Sequence, residues 1–216
     1  HRYEHDAAGR LRAHIDPAGH ASRYTYDGAG RLLRIDAHDA GTVRQFFDAT
    51  GQINERRDAT GARVTWTHDR LGRVLTERAH DPAGKQLGEA RYTYDQSQDP
   101  AATYSRGKLT AVEDAAGRVD FDHDIRGRIV RVTRQFAAHT GPITLSQSTE
   151  YDAQDRILRE IFPDGTELER DYTARGLEGP LAGWLAAATY DPRGRWTALE
   201  LASGVRTTRA LDHTGR

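Results

Sequence analysis

The sequence predicts an all-β protein in which tandem β-hairpins form a long, curled antiparallel sheet. A Tyr-Asp-x-x-Gly-Arg-Leu unit recurs along the 216 residues. The glycines of its first four copies, Gly9, Gly30, Gly51 and Gly72, stand 21 residues apart. A second turn motif lies about halfway through each period. Self-similarity at a fixed period of this length indicates a repeat architecture.

The first half of each unit predicts a strand that ends in a tight turn. Tyr24 and Tyr26 alternate with polar residues, which is the pattern of a strand. Asp27 then caps the turn with its carboxylate, and Gly30 supplies the left-handed conformation that ends a type I turn with a bulge. An Arg-Leu pair begins the returning strand. The residues to which we assign this structural role come from three well-preserved copies: Tyr24, Tyr26, Asp27, Gly30, Arg31 and Leu32; Trp66, Asp69, Gly72 and Arg73; and Tyr190, Asp191, Gly194 and Arg195.

The turn in the middle of each period uses the same residue types, as in Asp16-Pro17-Ala18-Gly19 and Asp81-Pro82-Ala83-Gly84. Proline after aspartate presets the φ angle of a turn. Each period therefore predicts two short strands and two turns, so about ten periods give on the order of 20 strands, a number at which a twisted open sheet has to curl. No segment shows helical periodicity with caps. Residues 181–188 are ambiguous, and Gly183 with the following Tyr-Asp copy favours a strand.

The repeat becomes irregular after its fourth copy. Insertions near residues 85–105 and 136–148 interrupt the register, Asp155 stands where the turn glycine belongs, and the copy at 172–176 lacks both the Asp and the Arg. Residue 1 falls inside a predicted strand, and the chain ends on the Gly-Arg of a further copy, 211–216. We therefore expect residues 1–216 to be one repeat segment of a longer polypeptide.

Charge and composition exclude several classes of protein. The 31 Lys+Arg balance the 32 Asp+Glu, whereas a nucleic-acid-binding protein needs a basic surface. The chain has no cysteine, which excludes disulfides and thiolate zinc sites. No apolar run approaches the ~18 residues that span a membrane. Hydrophobic residues make up 37%, a low share that fits an extended sheet with one modest apolar face.

Three histidines, His5, His68 and His123, each precede an aspartate. A His-Asp pair can serve acid–base chemistry or metal binding. All three occupy the position that tyrosine holds in sister repeats, so we predict half-buried strand side chains rather than a catalytic site.

A run of alternating carboxylates, Asp120, Asp122 and Asp124, raises the question of calcium, since hard cations take clustered carboxylates. Ile125 breaks the Asp-x-Asp-x-Asp-Gly loop pattern. We therefore predict a solvated polar face and no metal site. Residues 167–171 are predicted to form an exposed edge with alternating charge.

The aromatic and arginine residues allow a ligand-binding interpretation as well. Trp66, Trp184 and Trp196 could stack on sugars, but most aromatic residues occupy strand positions of the repeat, and packing accounts for them first. The arginine after the turn glycine could bind anions, yet its regularity favours pairing with the turn aspartates of neighbouring repeats. The residues concerned are Arg10, Arg31, Arg73, Arg128, Arg156 and Arg195.

These in-phase copies resemble the Rhs/YD-repeat family, whose hallmark is this unit at about this period, and the resemblance spans nearly the whole chain. The family includes bacterial Rhs toxins, the B and C subunits of Tc toxin complexes, and animal teneurins. The resemblance implies a spiralling β-sheet that closes into a cocoon and, in bacterial members, encloses a C-terminal toxin domain. Bacterial relatives carry an autoprotease segment, Asp-Pro-x-Gly-Leu. None of the three Asp-Pro-x-Gly runs here has that leucine, so no catalytic residue is carried over.

On this resemblance we expect a structural shell segment of a secreted toxin that encapsulates its cargo, delivered by type VI secretion or as a Tc complex. The implied partners are flanking shell repeats and the enclosed toxin domain, with secretion-system components and surface glycans as open alternatives. We expect no enzyme activity, no cofactor and no nucleic-acid partner. The alternative function is cell-surface adhesion or carbohydrate binding.

Overall fold

The computed structural model describes residues 1–97, 104–138 and 141–210. Within these ranges the chain is all β, with 19 strands and no helix, and hence no helix that could cross a membrane. The copy predicted at 211–216 and the inner parts of both insertions lie outside the described residues. The strands are β1 (Arg2–His5), β2 (Leu11–Ile15), β3 (Ala21–Tyr26), β4 (Leu32–Ala37), β5 (Gly41–Phe47), β6 (Ile53–Arg57), β7 (Arg63–His68), β8 (Val74–His80), β9 (Gln86–Tyr94), β10 (Leu109–Asp114), β11 (Gly117–His123), β12 (Ile129–Ala138), β13 (Gly141–Tyr151), β14 (Ile157–Ile161), β15 (Glu167–Tyr172), β16 (Glu178–Leu181), β17 (Leu185–Tyr190), β18 (Trp196–Leu201) and β19 (Arg206–Thr208).

The chain divides into two compact units. The first comprises His1–Gln96 and Leu109–Arg118, and the second comprises Ser97–Lys108 and Val119–Arg216. In the first unit every strand from β1 to β10 pairs antiparallel with the next strand in sequence. In the second unit β12 to β19 pair in the same way. The predicted antiparallel meander is confirmed.

The turn after β3 shows why the repeat motif has its residues. The amide of Asp27 donates to the carbonyl of Arg31 at 2.9 Å, and the amide of Gly30 donates to the carbonyl of Asp27 at 3.0 Å. Gly30 has a φ of +85°. The pairing register shifts before Tyr26, which lies opposite Leu32. This is the type I turn with a bulge that the motif predicts.

The second irregular stretch of the sequence lengthens a hairpin. β12 and β13 have 10 and 11 residues, whereas β2 has 5. The two strands stay in continuous register from the pair Arg131–Ser148 to the pair Ala138–Gly141. The inserted residues that the structure describes therefore extend the sheet instead of forming a separate loop.

The sheet of the first unit has an apolar and a charged face. Tyr24 lies opposite Ile35 on one face. On the other face Arg34 lies opposite Arg44, which in turn lies opposite Arg57. Like charges in directly opposite positions are destabilising, and Arg34 and Arg57 each pair with a carboxylate two residues away on their own strand.

Few side chains are fully buried, as the low hydrophobic content predicts. Among the described residues the buried apolar side chains are Ala13 and Ala111. Most other strand residues are half-buried. Hydrogen-bonded pairing and contacts between neighbouring hairpins therefore have to carry a larger share of the stability than a hydrophobic core does.

Two local expectations need correction. Residues 167–171 were expected to form an exposed edge, but they belong to β15, which pairs with β14 on one side and β16 on the other. The ambiguous residues 181–188 are extended as predicted, except that a turn with Gly183 at a φ of +76° separates β16 from β17. The pairing with neighbouring strands determines both the place of β15 in the sheet and the break between β16 and β17. Local composition does not reveal this pairing.

We predict that Gly30→Ala lowers the free energy of unfolding by ~1 kcal/mol, because a Cβ disfavours the left-handed backbone at this position. The matched control is Gly28→Ala in the same turn, since Gly28 has no positive φ and an added Cβ would meet no atom within 4 Å. Urea unfolding of the 216-residue chain measures both variants. An equal effect of the two substitutions would show that the turn conformation does not govern stability here.

Candidate functional site

The repeated structural feature of this chain begins with the turn aspartate. Asp27 Oδ1 accepts hydrogen bonds from the amides of Ala29 and Arg31, both at 2.9 Å, and Asp27 Oδ2 accepts one from Arg31 Nε at 2.6 Å. The donating amide of Arg31 lowers the pKa of the Asp27 carboxyl below its ordinary value, and the side chain of Arg31 lowers it further. The same three bonds recur at Asp6, Asp69, Asp124, Asp152 and Asp191.

This arrangement corrects the expectation that each arginine pairs with the turn aspartate of a neighbouring repeat. The primary partner is the aspartate of the arginine's own turn. Contacts to the next repeat are additional: Arg73 also bonds Asp95 at 2.8 Å, and Arg128 bonds Asp155 at 2.7 Å. Asp155 replaces the turn glycine at a φ of +66°, so this departure from the motif creates an ion pair.

Five of these six oriented arginines lie over an aromatic ring of the following repeat. The guanidinium of Arg10 is 4.9 Å from the ring centre of Tyr26. A cation–π contact at an exposed site is worth about 0.5–1 kcal/mol. The equivalent pairs are Arg31 with Phe47 at 4.7 Å, Arg73 with Tyr94 at 4.4 Å, Arg128 with Tyr151 at 4.6 Å, and Arg156 with Tyr172 at 4.3 Å.

The hydroxyl of the tyrosine donates a hydrogen bond back to the backbone of the preceding repeat. Tyr26 Oη donates to the carbonyl of Leu11, the residue after Arg10, at 2.9 Å. The same bond joins Tyr151 to Ile129 at 3.0 Å, Tyr172 to Ile157 at 2.9 Å, and Tyr190 to Glu178 at 2.8 Å. We call this sequence of contacts, turn aspartate to arginine to the next tyrosine and back to the backbone, the repeat ladder.

The turn glycine has a second role in the repeat ladder. A Cβ added at Gly51 would lie 3.1 Å from Arg31 Nη1, and one at Gly176 would lie 3.3 Å from Arg156 Nη1. At Gly72 an added Cβ would collide with the amide of Gln52. The residue that follows one turn glycine thus packs against the next one, so glycine serves both the backbone conformation and the contact between repeats.

Not every predicted motif residue belongs to the repeat ladder. Trp66 occupies the same repeat position as Tyr24, and its Nε1 donates to Glu77 Oε2 on the neighbouring strand at 2.9 Å. Arg195 bonds Asp191 at 2.8 Å, while the aromatic position that would follow it falls at residue 211, outside the described residues. Tyr24 lies within β3 opposite Ile35, and the remaining members of the three copies lie in or next to the turns of the repeat.

The three histidines have different environments. His5 is exposed, His68 is half-buried as expected, and His123 is buried. Asp69, which follows His68, is already bonded to two amides and to Arg73. The carboxylate of this His-Asp pair therefore takes part in the hydrogen bonds of the turn.

The expected solvated face at the carboxylate run is wrong for two of its members. Asp120 and Asp122 are both buried, each residue being 9% exposed. Asp122 accepts hydrogen bonds from Arg131 Nε at 2.8 Å and from Ser97 Oγ at 2.6 Å, and the three line a polar cavity of about 230 Å³. Arg131 lies on the next strand, so sequence spacing gave no signal of this pair. Within the described ranges, no group of three or more potential ligands is arranged to hold a metal ion.

We predict that Tyr26→Phe lowers the free energy of unfolding by ~1 kcal/mol, because it removes the hydroxyl bond to Leu11 and leaves the ring in place. Tyr24→Phe on the same strand is the control, since no described residue bonds the hydroxyl of Tyr24. Urea unfolding measures both. A loss of similar size in both variants would contradict the assigned role of the hydroxyl.

Acid should lower the free energy of unfolding of the chain by protonating its turn aspartates. Their pKa values are lowered in the folded state at Asp6, Asp27, Asp69, Asp152 and Asp191. A lowered pKa means that the stabilisation is present above the unfolded pKa, ~3.9, and is lost as the pH falls below it.

The variant Asp27→Asn tests this dependence by urea unfolding between pH 7 and pH 2. It should be less stable than the wild type at pH 7, and the two should converge in acid, because protonation removes the same charge. Asp39→Asn, at an exposed turn aspartate that makes no ion pair in the described structure, should show a smaller difference. A constant difference across the pH range would rule out the carboxylate as the cause.

Comparison with known proteins identifies the repeat and the fold. The sequence matches the RHS Repeat family at residues 5–43 and 47–86, and no curated protein sequence matches the chain. The crystal structure of TcdB2-TccC3 matches 100% of the chain with a TM-score of 0.83 at 18% identity. The Tc holotoxin pore of Photorhabdus luminescens with a mutated TccC3 gives the same values. The crystal structure of TcdB2-TccC3-Cdc42 matches 98% of the chain with a TM-score of 0.81 at 18% identity.

The chain covers 12% of the length of each of these solved chains, so the comparison concerns one structural segment. At this identity the likeness shows the fold. The matched repeats, their continuation in the later turns, and this fold agree with the resemblance read from the motif. Residues 5–43 and 47–86 therefore match RHS repeats, and the chain as a whole shares the fold of the matched segment of TcdB2-TccC3.

Proposed function

We propose that this chain forms part of the wall of a secreted Rhs- or Tc-type toxin, which encloses a toxin domain and shields it until delivery. The observation that supports this most directly is the alignment of the entire chain with 12% of TcdB2-TccC3 at a TM-score of 0.83. The mechanism is steric, because a continuous β-wall separates its contents from targets and proteases.

The repeat ladder can be extended by adding further repeats, as a long wall requires. Each hairpin contacts the one before and the one after it, as Arg10 and Tyr26 do, and such nearest-neighbour contacts can continue along the chain. In the described pairings β1 pairs with β2 alone and β19 with β18 alone. Flanking repeats of the same polypeptide would cover these two edges, which otherwise favour aggregation.

The role we propose is structural and not enzymatic. The turn carboxylates that follow His68 and His123 are bonded to turn amides and to Arg73 and Arg128. Catalysis by a His-Asp pair needs a free, oriented carboxylate and a nucleophile in reach. The observed bonding of the carboxylates supports a non-catalytic wall.

Carbohydrate binding is the second candidate, and one exposed side chain favours it. Trp184 is 68% exposed at the turn between β16 and β17. Trp66 is bonded to Glu77, and Trp196 lies 5.6 Å beneath Arg209, so those two have structural contacts. An aromatic face in solvent is a suitable platform for a sugar ring. Sub-micromolar binding on a glycan array that Trp184→Ala abolishes and Trp66→Phe preserves would establish this function instead.

Limited proteolysis of the full polypeptide that contains this chain tests the wall. We expect the domain that follows the wall to resist protease in the wild type. The triple variant Tyr26→Phe, Tyr151→Phe and Tyr172→Phe breaks three contacts of the repeat ladder and should make that domain cleavable. Tyr24→Phe serves as the control. Equal cleavage of the domain in wild type and triple variant, at the rate of the isolated domain, would refute enclosure.

A further inference from the structure

We call the contact from one repeat to the next a step of the repeat ladder. At two steps, both the arginine and the aromatic residue that follows it are replaced by other residues. In five steps an arginine lies over a tyrosine or phenylalanine. Where the arginine position holds Gln52, the next aromatic position holds His68, and where it holds Lys108, the next holds His123. At a further step Leu177 precedes Tyr190, which keeps its hydroxyl bond. Histidine thus occurs at steps that lack arginine and is absent from the five arginine steps.

We propose that the step from Lys108 to His123 in the second unit is an acid-sensitive joint, that is, a place where the packing between two neighbouring repeats weakens when the pH falls. Neutral His123 fits beside the lysine at neutral pH, and protonation of His123 loosens β11 and the turn that follows it. The joint is a property of the sheet, independent of whether the wall encloses a cargo.

The geometry places a titratable ring where four other repeats have a tyrosine hydroxyl bond. His123 is 9% exposed, and its Nδ1 is buried without a hydrogen-bond partner in the described part of the chain. The Lys108 side chain packs against Gly127, the next turn glycine. This is the place that an arginine guanidinium takes at Gly51 and Gly176, so lysine and histidine occupy the two positions of an arginine–tyrosine pair.

The neighbouring carboxylates offset a second positive charge at this step only in part. Lys108, Asp122 and Asp124 act on His123. Asp124 is bonded to Arg128 at 2.6 Å and Asp122 to Arg131 at 2.8 Å. Both carboxylates therefore already have a cationic partner. Lys108 makes no ion pair with any residue of the described ranges.

Burial lowers the pKa of His123 below its ordinary value, and Lys108 lowers it further, against the opposite effect of Asp122 and Asp124. The folded chain therefore binds this proton more weakly than the unfolded chain does. The contribution of neutral His123 to stability is present above the ordinary imidazole pKa of ~6.5 and is lost as the pH falls below it.

The step from Gln52 to His68 is a matched control within the same chain. It has the same repeat positions and the same exchange of tyrosine for histidine, but glutamine carries no charge. His68 is half-buried, whereas His123 is buried. A pH effect that arises from the buried ring and its lysine should therefore occur at His123 and be weaker at His68.

Hydrogen exchange measured by mass spectrometry on the 216-residue chain tests the joint at pH 7.5 and pH 5.0, corrected for intrinsic exchange rates. In the wild type we expect the protection of β11 amides to fall in acid by roughly tenfold for each pH unit between the unfolded and folded pKa of His123, down to pH 5.0. The variant Lys108→Arg/His123→Tyr restores the usual pair and should abolish this fall. Gln52→Arg/His68→Tyr should retain it.

Two further measurements keep the test decisive if the double variant fails to fold. Lys108→Gln keeps His123 and should reduce the fall in protection. An NMR titration of the His123 ring, assigned by its loss in His123→Tyr, should give a midpoint below that of histidine in an unfolded chain. A midpoint at or above that of unfolded histidine would overturn the proposal, as would an undiminished fall in Lys108→Arg/His123→Tyr.

Discussion

The carboxylate of the turn aspartate holds three donors, and the rest of the repeat depends on this arrangement. Two of the donors are backbone amides, which set the turn, and the third is the Nε of the following arginine, as at Asp27 and Arg31. Because Nε is held, the face of the guanidinium is turned toward the ring of the next repeat. One short-range interaction thereby determines both the local turn and the contact between hairpins.

This polar mechanism explains how a sheet with few fully buried apolar side chains holds together. Each repeat adds backbone pairing, five of the described steps add a cation–π contact, and four add a tyrosine hydroxyl bond, each of them worth about 1 kcal/mol or less in net terms. Stability then accumulates along the chain instead of residing in a single core. The same design tolerates departures from the motif: Asp155 in place of glycine gains a bond to Arg128, and the lengthened hairpin of β12 and β13 keeps its register.

The pairs Gln52–His68 and Lys108–His123 indicate that the arginine and aromatic positions of the repeat ladder vary together. A histidine cannot make the long hydroxyl bond that Tyr26 makes to Leu11, and a lysine has no planar guanidinium to lie flat over a ring. His123 beside Lys108 is therefore a different contact with its own pH dependence. In the wall that we propose, such a step would be a place where acid loosens the sheet while the arginine–tyrosine steps remain intact.

The sequence by itself determined the repeat period, which is visible as self-similarity at 21 residues. It also determined the strand alternation and the type I turn with its bulge, because these depend on residues within five positions of one another, such as Asp27 and Gly30. It also indicated that the recurrent arginines have a structural role, although not their partner. The tertiary structure alone decided that Arg10 lies over Tyr26, that Asp122 is buried against Arg131, and that β15 is an inner strand. Each of these depends on the register between strands from different parts of the chain, and register is set by the sum of many cross-strand contacts. Local spacing does not contain that information.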